Sequence, residues 1–299
     1  MTASAAHPAD SFAALDREIA AHVGCLDAEA ATRSTVDRDP SVPRVTVVTP
    51  SFNQGRYIDR TIRSVLNQGW PNLEYMVVDG ASTDGTPERI RRYERYLAWW
   101  VSEKDRGQTE AIRKGLGRAT GTYVTWLCSD DVLLPGALSR MVAALEARPD
   151  AGLVYGGVAF IDGEDRVVKT LSYGDMALDT LLYRRHSTIA QPSSLLRRSV
   201  LDAAGGLDET LSYCMDYDLW IRLLKTAGCI NLGETVLSGY RLHADSKTVG
   251  SYRRMALEKI RVNRRHTGNL INRVIYAHYW YIVEDAVRTL RRGLGSGRG

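Results

Sequence analysis

Four short clusters carry the acidic chemistry of this chain: Asp79-Gly80, Asp105-Arg106-Gly107-Gln108, Ser129-Asp130-Asp131 and the pair Asp216 and Asp218. Carboxylate oxygens are hard ligands and suit Mg2+ or Mn2+. Carboxylates gathered on one rim repel each other unless a cation or hydrogen-bond donors compensate. Mg2+ takes one or two protein carboxylates and completes its shell with water and phosphate, so a divalent ion beside a diphosphate is the simplest chemistry this set supports. Each cluster also has a purely structural role open to it. Asp79 before Gly80 can end a strand in a turn, and Asp105-Arg106-Gly107 can be a charged loop. Ser129-Asp130-Asp131 can cap the helix that follows Pro135-Gly136, and Asp216 or Asp218 can complement a helix dipole.

The elements that must position these clusters alternate between strand and helix. Val45–Thr49 is a short β-branched run ending at Pro50, and Leu73–Val78 is a second run ending at Asp79. Trp99–Val101 and Tyr123–Leu127 follow as third and fourth strands. Between them, helical spacing covers Tyr57–Leu66, Pro87–Tyr96 and Thr109–Arg118. Such alternation implies βαβ units and a mostly parallel sheet flanked by helices, with ligands held beyond the carboxyl ends of the strands. Pro50-Ser51-Phe52-Asn53, Asp79, Asp105–Gln108 and Ser129–Asp131 all stand at such ends. Turns alone explain that joint placement poorly.

The bulk properties frame this reading. The 299 residues, 44% hydrophobic, allow one large core with accessory segments. The net charge of +4 divides into −4 over residues 1–250 and +8 over residues 251–299. A concentrated basic tail suits an anionic surface. Cys25, Cys128, Cys214 and Cys229 show no C-x-x-C spacing, which argues against a zinc site or a disulfide framework and fits a reducing compartment. The N-terminus lacks a basic start followed by an apolar run, and no stretch reaches the 18 or so apolar residues of a spanning helix. These features predict a cytoplasmic protein. Residues 1–42 read as an extension with one short amphipathic helix on Phe12, Leu15, Ile19 and Val23, followed by a Pro-containing linker. Residues 252–292 read as helical, with an aromatic cluster at Tyr276–Tyr281.

Five segments resemble the family-2 glycosyltransferases of GT-A fold. They are Thr46-Val-Val-Thr-Pro-Ser-Phe-Asn-Gln54, Glu74-Tyr-Met-Val-Val-Asp-Gly-Ala-Ser-Thr-Asp-Gly-Thr86, Ser102-Glu-Lys-Asp-Arg-Gly-Gln108, Trp126-Leu-Cys-Ser-Asp-Asp131 and Met215-Asp-Tyr-Asp-Leu-Trp-Ile-Arg-Leu223. The resemblance covers residues 43–250 and implies a GT-A domain there, preceded by the extension 1–42 and followed by the basic tail 251–299. It implies an inverting, metal-dependent transfer of a single hexosyl or N-acetylhexosaminyl group from a UDP- or dTDP-linked donor to an acceptor hydroxyl. Cell-surface polysaccharide, glycolipid or glycosylated-metabolite synthesis would be the setting.

The same resemblance assigns roles. Pro50, Phe52, Asp79, Asp105 and Gln108 would bind the nucleotide, with Asp79 accepting from the base. Asp130 and His243 would hold Mn2+ or Mg2+, and Ser129 and Asp131 would face the donor sugar and diphosphate. Asp216 would be the catalytic base, while Gln191 and Trp220 would border the acceptor. Cys128 and Met215 stand where the family usually has an acid, so a catalytically impaired nucleotide-sugar-binding module is the alternative. The Q-x-x-R-W signature of processive synthases is absent. The acceptor would be free or lipid-linked. The tail would serve as a peripheral membrane contact at the inner face of the membrane, a helical lid on the core or a homodimer contact. Nucleic acid is not an expected partner.

Overall fold

The computed structural model describes residues 8–184, 188–243, 246 and 251–280. Its centre is a nine-stranded sheet. Strands β1 (Val45–Ser51), β2 (Leu73–Asp79), β3 (Trp99–Ser102) and β4 (Tyr123–Trp126) lie in the order β3-β2-β1-β4 and pair in parallel. Every residue of β1, β2 and β4 is buried, as expected of strands covered on both faces. Helices α3 (Ile58–Leu66), α4 (Thr86–Arg91) and α5 (Gln108–Leu116) make the crossovers. The helix expected over Pro87–Tyr96 is divided: α4 stops at Arg91, and a 3-10 turn at Glu94–Tyr96 completes the connection.

The second half of the sheet departs from the parallel pattern. Beyond β4 come β8 (Ser194–Arg197), β6 (Ala151–Ile161), β9 (Gly228–Arg241) and the short β5 (Val132–Leu133), with β7 (Val167–Leu171) beside β6. The pairs β4/β8, β6/β8, β5/β9 and β6/β7 are antiparallel, whereas β6/β9 is parallel. Helices α6 (Ala137–Ala147), α7 (Leu178–Tyr183), α8 (Arg198–Ala203) and α9 (Met215–Leu224) complete this half. Two main hydrophobic clusters form, one around Ile58, Leu66, Tyr75 and Met141, the other around Trp126, Tyr155, Leu196 and Trp220.

The N-terminal extension folds into two helices instead of the single one expected, α1 (Pro8–Gly24) and α2 (Ala28–Thr35). Asp27 caps α2 by accepting from the Ala30 amide, a start signal hidden in an Ala-rich stretch. Ile19, Val23 and Ala31 are buried, and the Arg63 guanidinium donates to the carbonyls of Val23 and Gly24, so the extension is docked on α3.

The described part of the tail is helical in two stretches. Helix α10 (Tyr252–Thr267) ends at Gly268 in the left-handed conformation (φ 69°), and a new helical stretch occupies residues 273–280 after Asn272 accepts from the Val274 and Ile275 amides. Helix α10 packs on α9: Asn263 donates to Tyr217 Oη, His266 Nε2 is 2.8 Å from Asp218 Oδ1, and Arg265 pairs with Asp208. Tyr276, Tyr279 and Trp280 are exposed. Ile282 and the remaining tail to Gly299 lie outside the described residues. Among the described residues, no helix is long and apolar enough to cross a membrane.

Candidate active site

The carboxyl ends of the parallel strands open into a cavity of about 750 Å3. From the end of β1 and the loop after it come Pro50, Ser51 and Phe52; Phe52 is 60% exposed, a large apolar side chain presented to the opening. This loop is tied to the loop after β2. Asn53 takes φ 52°, its amide donates to Ser82 Oγ, and its side chain accepts from the Thr83 amide. Asp84 accepts from the Gly55 and Thr86 amides. Such short polar side chains hold irregular backbone by local hydrogen bonds.

Asp79 is fully buried and does not line the cavity. Its carboxylate accepts from the Ser82 amide, Ser82 Oγ and Ser102 Oγ, which fixes the turn behind Gly80. Gly80 itself faces the opening, and a Cβ there would stand 2.9 Å from Asp105 Oδ2. Asp105 accepts from the Gly107 amide and shares the lining with Gln108, whose Nε2 donates to Cys128 Sγ.

The segment after β4 brings Cys128, Ser129, Asp130 and Asp131 to the same cavity. One ligand atom each from Cys128, Asp130 and Asp131 lies within 4.8 Å of the others, a spacing that suits a shared cation. Asp131 is 2% exposed, and burial pushes its carboxyl well above the usual range, aided by the Asp130 charge and opposed by the Arg241 amide and guanidinium. A buried and a half-buried carboxyl held together in this way fit a divalent ion, which would relieve their repulsion.

Arg241, at the end of β9, supports the pair. Its amide donates to Asp131 Oδ1, Nε to the Asp130 carbonyl, Nη1 to the Asp162 carbonyl and Nη2 to Asp165 Oδ1. His243 Nε2 lies 3.0 Å from Asp130 Oδ2, with its ring 5.0 Å from that of Tyr57. His243 is therefore beside the acidic cluster but not part of the cavity lining.

The opposite wall is built by the 3-10 segment Gln191–Ser193 and by α9. Gln191 lines the cavity and donates to the Trp126 carbonyl. Trp220 does not reach the cavity: it is fully buried and stacked on Trp126, ring centroids 6.1 Å apart, so any influence on the wall passes through Trp126. Asp216, in the first turn of α9, lines the cavity and accepts from the Tyr217 amide. Burial raises its pKa, with the Tyr217 amide and the Lys259 ammonium opposing. Asp218 is different. Burial would raise it, but His266 and Arg222 hold its carboxyl below the usual range, and it is 1% exposed. One acid of the pair is anchored; the other is presented.

Three site residues carry no mark of their role in the sequence. Cys128 reads as a missing acid, yet its Sγ stands with the Asp130 and Asp131 carboxylates. Arg241 reads as one more arginine in a strand, and Lys259 as one more charge in a basic helix.

Glu258, beside Lys259 on α10, accepts from the Ser212, Tyr213 and Cys214 amides at 2.6–2.8 Å, fixing the turn that leads into α9. This is favourable for a carboxylate at a helix N-terminus.

The model of the family "Glycosyl transferase family 2" matches residues 46–205. An uncharacterized glycosyltransferase of Rickettsia prowazekii is 29% identical over 212 residues, covering 69% of this chain and 66% of its own. One of Methanocaldococcus jannaschii is 23% identical over 248 residues, covering 80% and 85%. Among solved structures, S. aureus TarS 1–349 in complex with UDP-GlcNAc superposes with a TM-score of 0.58 at 17% identity, covering 75% of this chain and 71% of that one. The mannosyltransferase PcManGT from Pyrobaculum calidifontis, in complex with GDP-Man and Mn2+, gives 0.61 at 22% identity, covering 96% and 87%. A family match over more than half of the chain, on a fold shared with these transferases, makes this protein a member of glycosyl transferase family 2.

Proposed function

We propose that this glycosyltransferase moves one sugar, with inversion, from a nucleotide-diphosphate donor to an acceptor hydroxyl and depends on a divalent metal. The observation that carries the reading is that the Cys128, Asp130 and Asp131 cluster and the presented acid Asp216 share one cavity. Asp130 and Asp131 would hold the ion, with Cys128 beside them, and His243 would orient Asp130. When bound, the ion supplies charge stabilisation for the departing diphosphate. Phe52, Ser51 and Asp105 would border the nucleotide. Ser51 Oγ is buried in the lining without a hydrogen-bond partner among the described residues, as suits a group that meets a ligand. Asp79 would act from behind, by holding the Gly80–Ser82 turn.

Asp216 would take the acceptor hydroxyl proton. The acceptor oxygen then bonds to the anomeric carbon as the bond to the diphosphate breaks, releasing a nucleoside diphosphate. A carboxylate desolvated enough to be basic, yet still ionised near neutrality, suits this role. Gln191 would border the acceptor. Because Asp216 is held above the ordinary carboxylate range, transfer should rise with pH as it ionises and be lost on acidification through its raised pKa.

A thermal-shift titration with UDP, dTDP and GDP, each with and without Mn2+, tests the donor half. One diphosphate at 100 times its Kd should stabilise the protein by about 2.7 kcal/mol with Mn2+ present. No stabilisation by any of the three would sink the reading. Gly80→Ala should weaken that binding about tenfold by displacing the Asp105 carboxylate, with the unliganded Tm almost unchanged. A large drop in Tm with unaltered affinity would contradict this.

A further inference from the structure

Lys259 is a cation of the cavity wall that has no ion-pair partner among the described residues. It projects from α10 into the lining beside Asp216, and its Nζ lies over the Tyr217 ring at 4.6 Å. Cation–π contact of this kind is worth about 0.5–2 kcal/mol, less than the cost of withdrawing an ammonium from water. The neighbouring Glu258 cannot neutralise it. Both Glu258 oxygens are engaged by the amides of Ser212, Tyr213 and Cys214, and its ion pair is with Arg261. Asp216 and Cys214 interact with Lys259 electrostatically, but among the described residues no carboxylate approaches Nζ to ion-pair distance. Burial correspondingly pushes the Lys259 pKa down.

Lys259 stands beside α9, over the ring of Tyr217. Its charge acts on Asp216 and Cys214, at the start of α9. The ammonium therefore belongs to the wall that holds the presented acid. Desolvated cations of this kind call for an anion, and Lys259 and Asp216 both line the cavity.

We propose that Lys259 recognises a negatively charged group on the acceptor, a carboxylate or a phosphate carried near the hydroxyl that receives the sugar. The proposal rests on the glycosyl-transfer reading, with Asp216 on the acceptor side. An anion on Lys259 would satisfy the ammonium and set a neighbouring hydroxyl toward Asp216. A neutral sugar would leave the ammonium unpaired in the complex, so the same residue would select against it.

The test uses the whole protein saturated with Mn2+ and the nucleoside diphosphate that binds most tightly. Calorimetric titration with D-glucuronate, D-glucose 1-phosphate and D-glucose then compares a carboxylate, a phosphate and a neutral probe. At least one anionic probe should bind tenfold or more tightly than glucose, and which of them does identifies the anion. Lys259→Met should abolish that preference and Lys259→Arg should keep most of it, both with nucleotide affinity within twofold of the parent. Equal binding of glucose, no binding of either anionic probe, or a preference that survives in Lys259→Met would overturn the proposal. Failure of nucleotide binding would instead strike at the glycosyl-transfer reading, so the two failures are distinguishable.

Discussion

Asp216→Asn is expected to lower the transfer rate by about 100- to 10,000-fold, the usual contribution of a positioned general base, while donor affinity stays within twofold. The amide is nearly isosteric and can keep the hydrogen bond from the Tyr217 amide, so the first turn of α9 should persist. What is lost is the capacity to accept a proton. The residual rate should also lose the acidic limb of its pH profile, because that limb reports ionisation of Asp216. Asp218→Asn offers the contrasting pattern. Asp218 is anchored between His266 and Arg222, so its substitution should reduce Tm and affect rate through loosening of α9 against α10. Steady-state kinetics and thermal unfolding of the two variants distinguish a chemical role from a structural one. Equal losses of rate in both, or a normal rate in Asp216→Asn, would remove Asp216 as the base.

Arg241→Met is expected to have the largest effect on stability. The guanidinium is fully buried and donates to Asp130, Asp162 and Asp165 while lying 4.8 Å from the Tyr57 ring centroid. Removing one partner from a buried charged network leaves the rest unsatisfied and costs about 3–5 kcal/mol. Asp165 would retain only its 3.1 Å contact with Arg60 among the described residues. For a domain of this size a loss of that order lowers Tm by about 10 °C. Arg241→Lys restores charge without the planar fork and should recover only part of the loss. Because the Arg241 backbone amide also holds Asp131, metal affinity should fall along with Tm. A Tm within 2 °C of the parent would show that the network contributes little.

Much of the parallel half of the fold is legible in the sequence, because its determinants are local. The run Val45–Thr49 is buried on both faces and wholly apolar or β-branched, and Leu73–Val78 is mostly apolar, its Glu74 accepting from Thr46 and Thr120. The cavity follows from the same topology. The antiparallel half is less visible, since β5 has two residues and β9 pairs with both β5 and β6 across long sequence separations. Helix α2 depends on Asp27 and on docking against the body of the protein, neither of which gives a periodic pattern.

Site residues divide in the same way. Those next to strand ends, such as Asp105, Gln108 and Ser129–Asp131, can be placed from their neighbours. Asp79 illustrates the limit: its position at the end of β2 is evident, but the two serines that turn its carboxylate inward are not. Trp220 has the side chain of a binding residue and the burial of a core one. Lys259 reaches the cavity only because α10, more than forty residues downstream of Asp216, packs on α9; charge counting assigns it to the solvent-facing basic tail.

The central claim is metal-dependent turnover of a nucleotide sugar in the cavity shared by Asp130, Asp131 and Asp216. The most direct measurement is release of nucleoside diphosphate from a panel of UDP-, dTDP- and GDP-sugars, with Mn2+ or with EDTA. At least one donor should be consumed with Mn2+ present, and that release should be lost in EDTA and in Asp130→Asn. Consumption of no donor, or release that proceeds equally in EDTA and in Asp130→Asn, would contradict the account.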